Sequence, residues 1–208
     1  MSDIISFKER VRQVAINEAR HYKRMFVDYD YLICCNTFTN KKYYVISGEK
    51  NNYAHLLGIN ILCSPNEFFA KCISNSLTEN DFDFFKSGQR ETDVKGTVRR
   101  KITSLEKMKY MFSGKLLVEE SFRKNNVFCA IATTDLRITV GFSVGKKSYP
   151  KSLLKGNELS GKAVEPTVIL RRKSGSRVFS EVIYGDKDNI SLFIDEISNL
   201  LLIDDKTL

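Results

Sequence analysis

The amino-acid sequence predicts an α+β fold in which N-terminal helices precede a mainly antiparallel β-sheet and a C-terminal helix ends the chain. Apolar residues recur at helical spacing through much of the first half, whereas apolar and polar residues alternate in the second half. Helices early and strands late are typical of the α+β class. Because 208 residues with 42% hydrophobic content can bury a sizeable core, we interpret residues 1–208 as a single domain.

The first elements are predicted from short apolar patterns. The segment from about Asp3 to Arg24 predicts an amphipathic helix with a basic outer face. Its apolar stripe consists of Phe7, Val11, Val14, Ala15 and Ala19. Two apolar runs, Tyr31 to Cys35 and Tyr43 to Ser47, predict a pair of strands.

Helix-capping residues mark the next elements. The sequence Ser64-Pro65-Asn66-Glu67 combines a capping serine, a proline at the first helical position and a glutamate three residues after the cap. It predicts a helix that reaches about Ser74. The sequence Thr78-Glu79-Asn80-Asp81 predicts a second, shorter helix, which Gly88 ends.

The middle of the chain predicts a flexible segment followed by a helix. The polar stretch from Gln89 to Thr97 is flexible by composition. Beyond it, Ile102, Leu105, Met108 and Phe112 form an apolar stripe, and Ser113-Gly114 closes the predicted helix.

The second half of the chain predicts strands. Leu136 to Val144 alternates between apolar and polar residues, which is typical of a strand with one wet face, and Asn126 to Thr133 is its predicted hairpin partner. Further strands are predicted at Tyr149 to Leu154, Thr167 to Arg172 and Arg177 to Tyr184. A helix with apolar residues from Ile190 to Leu201 ends the chain.

Charge and cysteine content restrict the class of protein. There are 33 Lys and Arg against 25 Asp and Glu, so the formal net charge of +8 favours a polyanionic partner, nucleic acid first and an anionic membrane surface second. The sequence contains neither a long apolar run nor the apolar core of a secretory signal. We therefore expect a soluble, cytoplasmic protein without membrane association. The five cysteines lack paired metal spacing, which indicates reduced core thiols and no metal site.

Three basic clusters are candidates for nucleic-acid binding. They are Arg99-Arg100-Lys101, Lys146-Lys147, and Arg171-Arg172-Lys173 with Arg177 across a Ser-Gly-Ser turn. The last cluster is the most suggestive, since a hairpin tip presents several phosphate-binding charges together. The alternative is that these charges only keep the surface soluble.

His55 is the first candidate for acid-base chemistry, because the chain has only two histidines and histidine exchanges protons near neutral pH. In a short helix, Tyr53, Leu56 and Leu57 share one apolar stripe and His55 points roughly to the other side. The alternative is a half-buried histidine bonded to a backbone carbonyl. The sequence contains no acidic metal-binding array, phosphate-binding glycine loop or dinucleotide motif, so we expect no cofactor. A histidine with several cations fits metal-independent RNA cleavage by the ribose 2′-hydroxyl.

The sequence resembles a phage-associated nuclease branch of the barnase, EndoU, colicin and RelE-like superfamily. The resemblance rests on the block Asn52-Tyr53-Ala54-His55-Leu56-Leu57-Gly58-Ile59, on Arg100-Lys101-Ile102 leading to Leu105 and Met108, on the hairpin Cys129 to Phe142, and on Tyr149-Pro150-Lys151-Ser152-Leu153. It spans roughly Lys41 to Asn157, the nuclease-like core. The N-terminal helix and the basic hairpin and helix after Glu165 depart from the family pattern.

The resemblance implies a compact α+β fold and RNase activity of the kind found in toxins and mobile-element proteins. His55 would be the acid-base residue, and Arg100 or Lys101 would contact phosphate. Ser152, beside Tyr149, would line the site with its hydroxyl. The structural alternatives are that Tyr149-Pro150 begins a strand and that Ser152 lies on a solvent-facing surface.

Our leading hypothesis is a metal-independent endoribonuclease, a toxin or phage-defence effector, with RNA as its partner and an inhibitor or antitoxin protein as a second partner. The main rival is a non-catalytic nucleic-acid-binding or interaction protein in which His55 is structural. A third interpretation is a transferase that uses a nucleotide cofactor, for which the sequence supplies no binding motif.

Overall fold

The computed structural model describes residues 5–124 and 126–201 and confirms the α+β class. Its α-helices are α1 (Phe7–Tyr22), α2 (Tyr53–Leu57), α3 (Pro65–Ile73), α4 (Glu91–Met108) and α5 (Ile194–Ile197). Its strands are β1 (Tyr29–Cys34), β2 (Tyr43–Ile46), β3 (Asn60–Ile61), β4 (Phe82–Asp83), β5 (Leu117–Glu120), β6 (Arg123–Lys124), β7 (Val127–Phe128), β8 (Ile131–Thr134), β9 (Ile138–Phe142), β10 (Pro150–Lys155), β11 (Val168–Lys173) and β12 (Glu181–Gly185). Asp3, where the first helix was predicted to begin, lies outside the described residues.

Two four-stranded antiparallel sheets carry the fold. The first sheet has the order β12-β11-β1-β2 and the second β10-β9-β8-β5. A short bridge connects them, because Ile46 in β2 pairs with Ser148 just before β10. Val118 in β5 also pairs with Val164, on the chain between β10 and β11. One large apolar core, which includes Ile33, Val140 and Leu153, fills the space between the sheets and the helices.

The N-terminal helix packs its predicted apolar stripe into this core. Ser6 caps α1 by accepting a hydrogen bond from the Glu9 backbone N–H at 2.9 Å. After α1 the chain continues as a π-helical turn over Lys23–Val27, which buries Phe26. Gly48 is required beside this turn, because a Cβ there would lie 2.5 Å from Phe26 Cβ.

The predicted capping sequence before α3 is confirmed. Ser64 accepts a hydrogen bond from the Glu67 backbone N–H at 3.2 Å, and Pro65 is the first helical residue. Helices α3 and α4 pack against α1, while the short helix α2 contacts α3, α4 and β10. Among the described residues, none of the helices has the length and apolar character needed to cross a membrane.

The predicted helix from Thr78 to Gly88 is wrong. Only one 3₁₀ turn forms there, over Glu79–Asp81, and the chain then pairs as β4 with β3. Phe82 and Phe84, two residues apart, are both buried, whereas Phe85 is exposed. Burial of every second residue is typical of a strand and not of a helix.

The prediction of a flexible segment over Gln89 to Thr97 is also wrong, because α4 begins at Glu91. Val94 and Val98 are buried and extend the stripe of Ile102 toward the N-terminus. Ion pairs on the exposed face support this first turn, including Lys95 with Glu91 at 2.6 Å. The prediction failed because Val94 and Val98, which have helical spacing, lie within a stretch of mostly polar residues.

The predicted C-terminal helix is confirmed, but it is divided into three consecutive short turns over Lys187–Phe193, Ile194–Ile197 and Ser198–Leu200. Asp, Asn, Ser, Ile and Phe are weak helix formers, which accounts for the interruptions. The segment covers the outer face of the first sheet, where Phe193 and Ile197 pack against Leu32 and Leu170.

Four of the five cysteines lie in the core, as predicted. Cys34, Cys35, Cys72 and Cys129 are buried, Cys63 is half-buried, and all five are free thiols in the described part of the chain.

Candidate functional site

His55 is exposed on the short helix α2. Tyr53, Leu56 and Leu57 are each fully buried, as the apolar stripe predicted. The Tyr53 hydroxyl donates a hydrogen bond to the Ala15 carbonyl at 2.7 Å, which fixes α2 against α1. The imidazole is therefore held on a well-anchored turn and remains accessible to a substrate.

Lys101 from α4 is fixed directly against the His55 segment. Its Nζ donates a hydrogen bond to the His55 carbonyl oxygen at 3.0 Å. Its side-chain stem packs on Gly58, where a Cβ would lie 2.6 Å from Lys101 Cδ and where φ is +75°. Burial, together with the positive charge of Lys86, lowers the pKa of Lys101 to about 8. The ammonium is therefore a cation near neutral pH that loses its charge in mildly alkaline solution.

The two neighbours of Lys101 are directed elsewhere. Arg100 is exposed and donates a hydrogen bond to Thr97 Oγ1 in its own helix at 3.2 Å. The Arg99 guanidinium lies over the Phe7 ring, 5.0 Å from its centroid. Of this basic cluster, only Lys101 is bonded to the His55 segment.

Tyr149 connects the segment before α2 with the first sheet. Burial, then the hydrogen bond and charge of Glu49, and finally the charge of Asp30, raise the pKa of Tyr149. Its backbone N–H donates a hydrogen bond to Ser143 Oγ at 3.0 Å. Pro150 is the first residue of β10, so the structural alternative for Tyr149-Pro150 is also realised.

Ser152 faces a different side of the sheet from α2. It pairs with Gly141, and a Cβ on Gly141 would lie 3.5 Å from Ser152 Cβ and 2.6 Å from Cys129 Sγ. Its neighbour Leu153 points the other way, into the main core that α2 covers. Ser152 is also buried rather than solvent-facing, with 8% exposure. The structure thus separates the Ser152 hydroxyl from His55.

Two of the predicted nucleic-acid-binding residues converge on a buried carboxylate, Asp30 in β1. Asp30 Oδ2 accepts hydrogen bonds from Lys147 Nζ at 2.9 Å and from Arg172 Nε at 3.0 Å. Asp30 Oδ1 accepts one from Ser47 Oγ at 2.6 Å. Burial by itself would raise the pKa of Asp30, but these hydrogen bonds and the charge of Lys147 outweigh it and hold the pKa below its ordinary value.

The remaining predicted basic residues divide into bound and exposed ones. Arg171 forms an ion pair with Glu181 and lies 4.4 Å from the centroid of the Tyr29 ring. Lys146, Lys173 and Arg177 are exposed. The hairpin tip therefore presents two cations to solvent, while Arg171 and Arg172 are held by carboxylates.

A sequence comparison decides the family. Residues 16–188 match PBECR4, the family described as phage-Barnase-EndoU-ColicinE5/D-RelE like nuclease 4. The chain belongs to the PBECR4 nuclease family. No curated protein and no solved structure matches the chain.

PBECR4 membership confirms the resemblance drawn from the sequence and implies a nucleic-acid substrate. The PBECR4 match is longer than the span from Lys41 to Asn157 on which the resemblance rested. It includes Asp30 at one end and the basic hairpin through Arg177 at the other.

The candidate site residues interact with three residues that the sequence interpretation missed, namely Lys86, Asp30 and Glu49. A signal existed for Asp30, since it is a lone carboxylate inside an apolar strand and a buried charge needs partners. No comparable signal identified Lys86 or Glu49. Within residues 5–124 and 126–201, no three His, Cys, Asp or Glu side chains are grouped as metal ligands would be.

Proposed function

We propose that this PBECR4 member is a metal-independent endoribonuclease in which His55 transfers a proton. The observation that carries the proposal is that Lys101 Nζ is bonded to the backbone carbonyl of His55 at 3.0 Å, which fixes a cation on the helical turn that carries the exposed imidazole. An acid-base group and a phosphate-binding charge are the two components that such a reaction needs close together.

The reaction follows from the chemistry of RNA. A base removes the proton of the ribose 2′-hydroxyl, and the 2′-oxygen attacks the adjacent phosphorus. The bond from phosphorus to the 5′-oxygen breaks, and an acid protonates that leaving oxygen. The products are a 2′,3′-cyclic phosphate and a free 5′-hydroxyl. His55 performs one of the two proton transfers, and the Lys101 ammonium stabilises the negative charge that develops on the phosphorane oxygens.

The other predicted residues have subsidiary roles in this proposal. Arg100, exposed next to Lys101, contacts a neighbouring phosphate. Tyr149 acts through its contact with Glu49, on the chain that leads into α2. Ser152 stays a prediction from the resemblance. A toxin or phage-defence role, an inhibitor partner and a cytoplasmic location also stay predictions.

The test is cleavage of a labelled RNA oligonucleotide and of total RNA in EDTA, with analysis of the fragment ends. His55→Ala is expected to lower the cleavage rate by about 10²–10⁴-fold, the usual contribution of a general acid or base. His21→Ala is the matched control, because His21 is the other histidine and is bonded to Glu18 at 3.0 Å. It should cleave like the wild type.

Each result decides between the proposed activity and its rival. Fragments with 2′,3′-cyclic phosphate from the wild type and from His21→Ala, but not from His55→Ala, support the proposal. Equal cleavage by His55→Ala removes the role assigned to His55. Intact RNA with every variant, together with salt-sensitive binding, favours the non-catalytic nucleic-acid-binding protein.

A further inference from the structure

A second basic site lies at the junction of the two sheets. An open cleft of about 510 Å³ is bounded by β2, by the chain before β10 and by β11. Four cations line it, namely Lys41, Lys146, Lys147 and Arg172. Tyr43 and Tyr44 also belong to the lining, but the Tyr43 ring is half-exposed whereas the Tyr44 ring is buried in the main core. The cleft thus combines concentrated positive charge with one accessible aromatic ring, away from the contact between Lys101 and His55.

Asp30 fixes two of the four cations from behind the cleft. Its side chain is fully buried, whereas the Arg172 side chain is 11% exposed and that of Lys147 is 38% exposed. Arg172 is further held by its donation to the Arg177 carbonyl at 2.7 Å and by the Phe179 ring, 4.3 Å from its centroid. Cations held in this way lose little conformational freedom when they bind a ligand.

The charge balance of the cleft favours an anion. Asp30 offsets one of the four cations. A second carboxylate, Glu120, lies behind Tyr44. It accepts hydrogen bonds from the Tyr44 hydroxyl at 2.8 Å and from the Thr39 backbone N–H at 2.7 Å. Two positive charges therefore remain in excess around one small cleft, and Lys41 and Lys146 are exposed at its rim.

The cleft is connected to His55 through the chain. Ser47, which is bonded to Asp30, follows β2, and the next residues lead through Glu49 into α2. Burial, and then Glu49 and Asp30, raise the pKa of Tyr149, so this tyrosine lies near the same connection. The chain segment that leads to His55 therefore begins beside the Asp30 cluster at the back of the cleft.

We propose that this cleft binds phosphate groups of a single-stranded nucleic acid, with Asp30 as the positioning residue for Lys147 and Arg172. The proposal rests on the proposed nuclease function and deepens it, because it assigns a place where the substrate strand is held outside the reacting centre. Lys41 and Lys146 contact the phosphates from the rim, and the half-exposed Tyr43 ring faces the strand.

The first test measures binding without cleavage. A short fluorescein-labelled 2′-O-methyl RNA lacks the attacking hydroxyl, so its affinity for the unmodified protein can be measured by fluorescence anisotropy over a range of NaCl concentrations. Lys41→Glu/Lys146→Glu is compared with Lys155→Glu/Lys162→Glu, which makes the same change of net charge at exposed positions outside the cleft lining.

The cleft variant should weaken binding by at least about tenfold and lower the slope of log K against log salt by about 1.4, since each phosphate contact to a single strand contributes about 0.7. The control variant should leave the slope unchanged. Equal losses in the two variants would mean that only net charge matters, and the cleft proposal would be wrong.

The second test separates positioning from charge. Asp30→Asn makes the cleft more positive, so a simple electrostatic effect predicts tighter binding of the 2′-O-methyl RNA. Positioning by Asp30 predicts weaker binding, because Lys147 and Arg172 lose their shared anchor. Tighter or unchanged binding overturns the positioning role. If Asp30→Asn does not fold, Ser47→Ala removes one hydrogen bond to Asp30 without altering any charge and should weaken binding in the same direction.

Failure of the cleft proposal and failure of the nuclease proposal give different results. Cleft-dependent binding without cleavage of unmodified RNA would refute the nuclease function and leave the binding site. Cleavage that depends on His55 and is unchanged in Lys41→Glu/Lys146→Glu, with unchanged binding, would refute the cleft and leave the nuclease.

Discussion

Consecutive residues with the same charge have different roles in this protein. Arg99, Arg100 and Lys101 form one basic cluster in the sequence, yet Arg99 covers an aromatic ring and Arg100 bonds within its helix. Lys101 alone reaches α2, because successive residues of a helix point about 100° apart. A basic cluster on a helix is therefore not a single binding surface.

The lowered pKa of Lys101 makes a prediction about the pH dependence of cleavage. Because burial and Lys86 lower this pKa to about 8, the ammonium loses its charge as the pH rises from 7 to 9. Wild-type cleavage should fall over this range, and Lys101→Arg should reduce the fall, since arginine stays protonated. The measurement is the initial rate of RNA cleavage between pH 6 and pH 9.

Lys101→Met serves as the control for this experiment. This variant should cleave RNA slowly at every pH, because it lacks the positive charge altogether. Thermal unfolding establishes that each variant is folded. Superimposable profiles for the wild type and Lys101→Arg would contradict a role for the Lys101 charge in the reaction.

At the scale of elements, the C-terminal segment is held by packing rather than by helix propensity. Its turns are short, but Phe193 is 1% exposed and packs into the apolar cluster on the outer face of the first sheet. The adjacent Leu192 is 60% exposed. The segment also adds a bridge between Phe179 and Leu201.

This arrangement predicts a large difference between two neighbouring substitutions. Phe193→Ala should lower the free energy of unfolding by about 3 kcal/mol, because it removes a buried aromatic side chain and leaves a cavity. Leu192→Ala should change it by less than about 0.5 kcal/mol, as is usual for surface positions. Urea unfolding followed by circular dichroism measures both. Equal effects would show that the segment is not packed on the sheet.

At the scale of the whole molecule, Asp30 connects parts that are far apart in the sequence. Its partners come from the end of β2, from the chain before β10 and from β11, so one carboxylate joins both sheets near their bridge at Ile46 and Ser148. Charge-assisted hydrogen bonds offset the free-energy cost of burying this carboxylate.

Asp30 therefore predicts how stability depends on pH. The pKa of Asp30 is lower in the folded protein than in the unfolded chain. Its contribution to the free energy of unfolding is therefore fully present above the unfolded-state pKa near 4, and it is lost as the pH falls through the folded-state pKa. Near pH 7, Asp30→Asn should lower the free energy of unfolding by about 2–3 kcal/mol, the range for hydrogen bonds to a charged group.

The measurement is urea unfolding of the wild type and Asp30→Asn from pH 7 down to pH 3. The difference between the two proteins should narrow below about pH 4, because the wild type then loses the same ionic contacts. A difference that stays constant over this range would show that the Asp30 charge contributes nothing to stability.

Much of the fold could be predicted where one local pattern dominates. The cap of α3, the strands β1, β2 and β9, and the exposure of His55 follow from residues close together in the chain. The predictions failed at Thr78 to Gly88 and at Gln89 to Thr97, where a few phenylalanines or valines decide the structure inside a polar stretch. Strand β4 also depends on its pairing with β3, which no local pattern shows.

The candidate site was only partly accessible to sequence reasoning. His55 and Lys101 were singled out, but their contact depends on how α2 packs against α4. Ser152 was grouped with Tyr149 by sequence distance, whereas the alternation of β10 directs it to the Cys129 side of the sheet. Asp30 was missed because its partners lie more than a hundred residues away in two cases.

The sequence by itself determined the α+β class, the excess of positive charge, the nuclease resemblance and the exposed histidine on an apolar turn, since composition and short-range periodicity encode these properties. Only the tertiary structure decided which cations remain available to a substrate. How a lysine or arginine is oriented depends on the carboxylates and carbonyls that strand pairing and helix packing bring close to it. For this reason Arg171 is held by Glu181, while Lys101 is bonded to the backbone of His55.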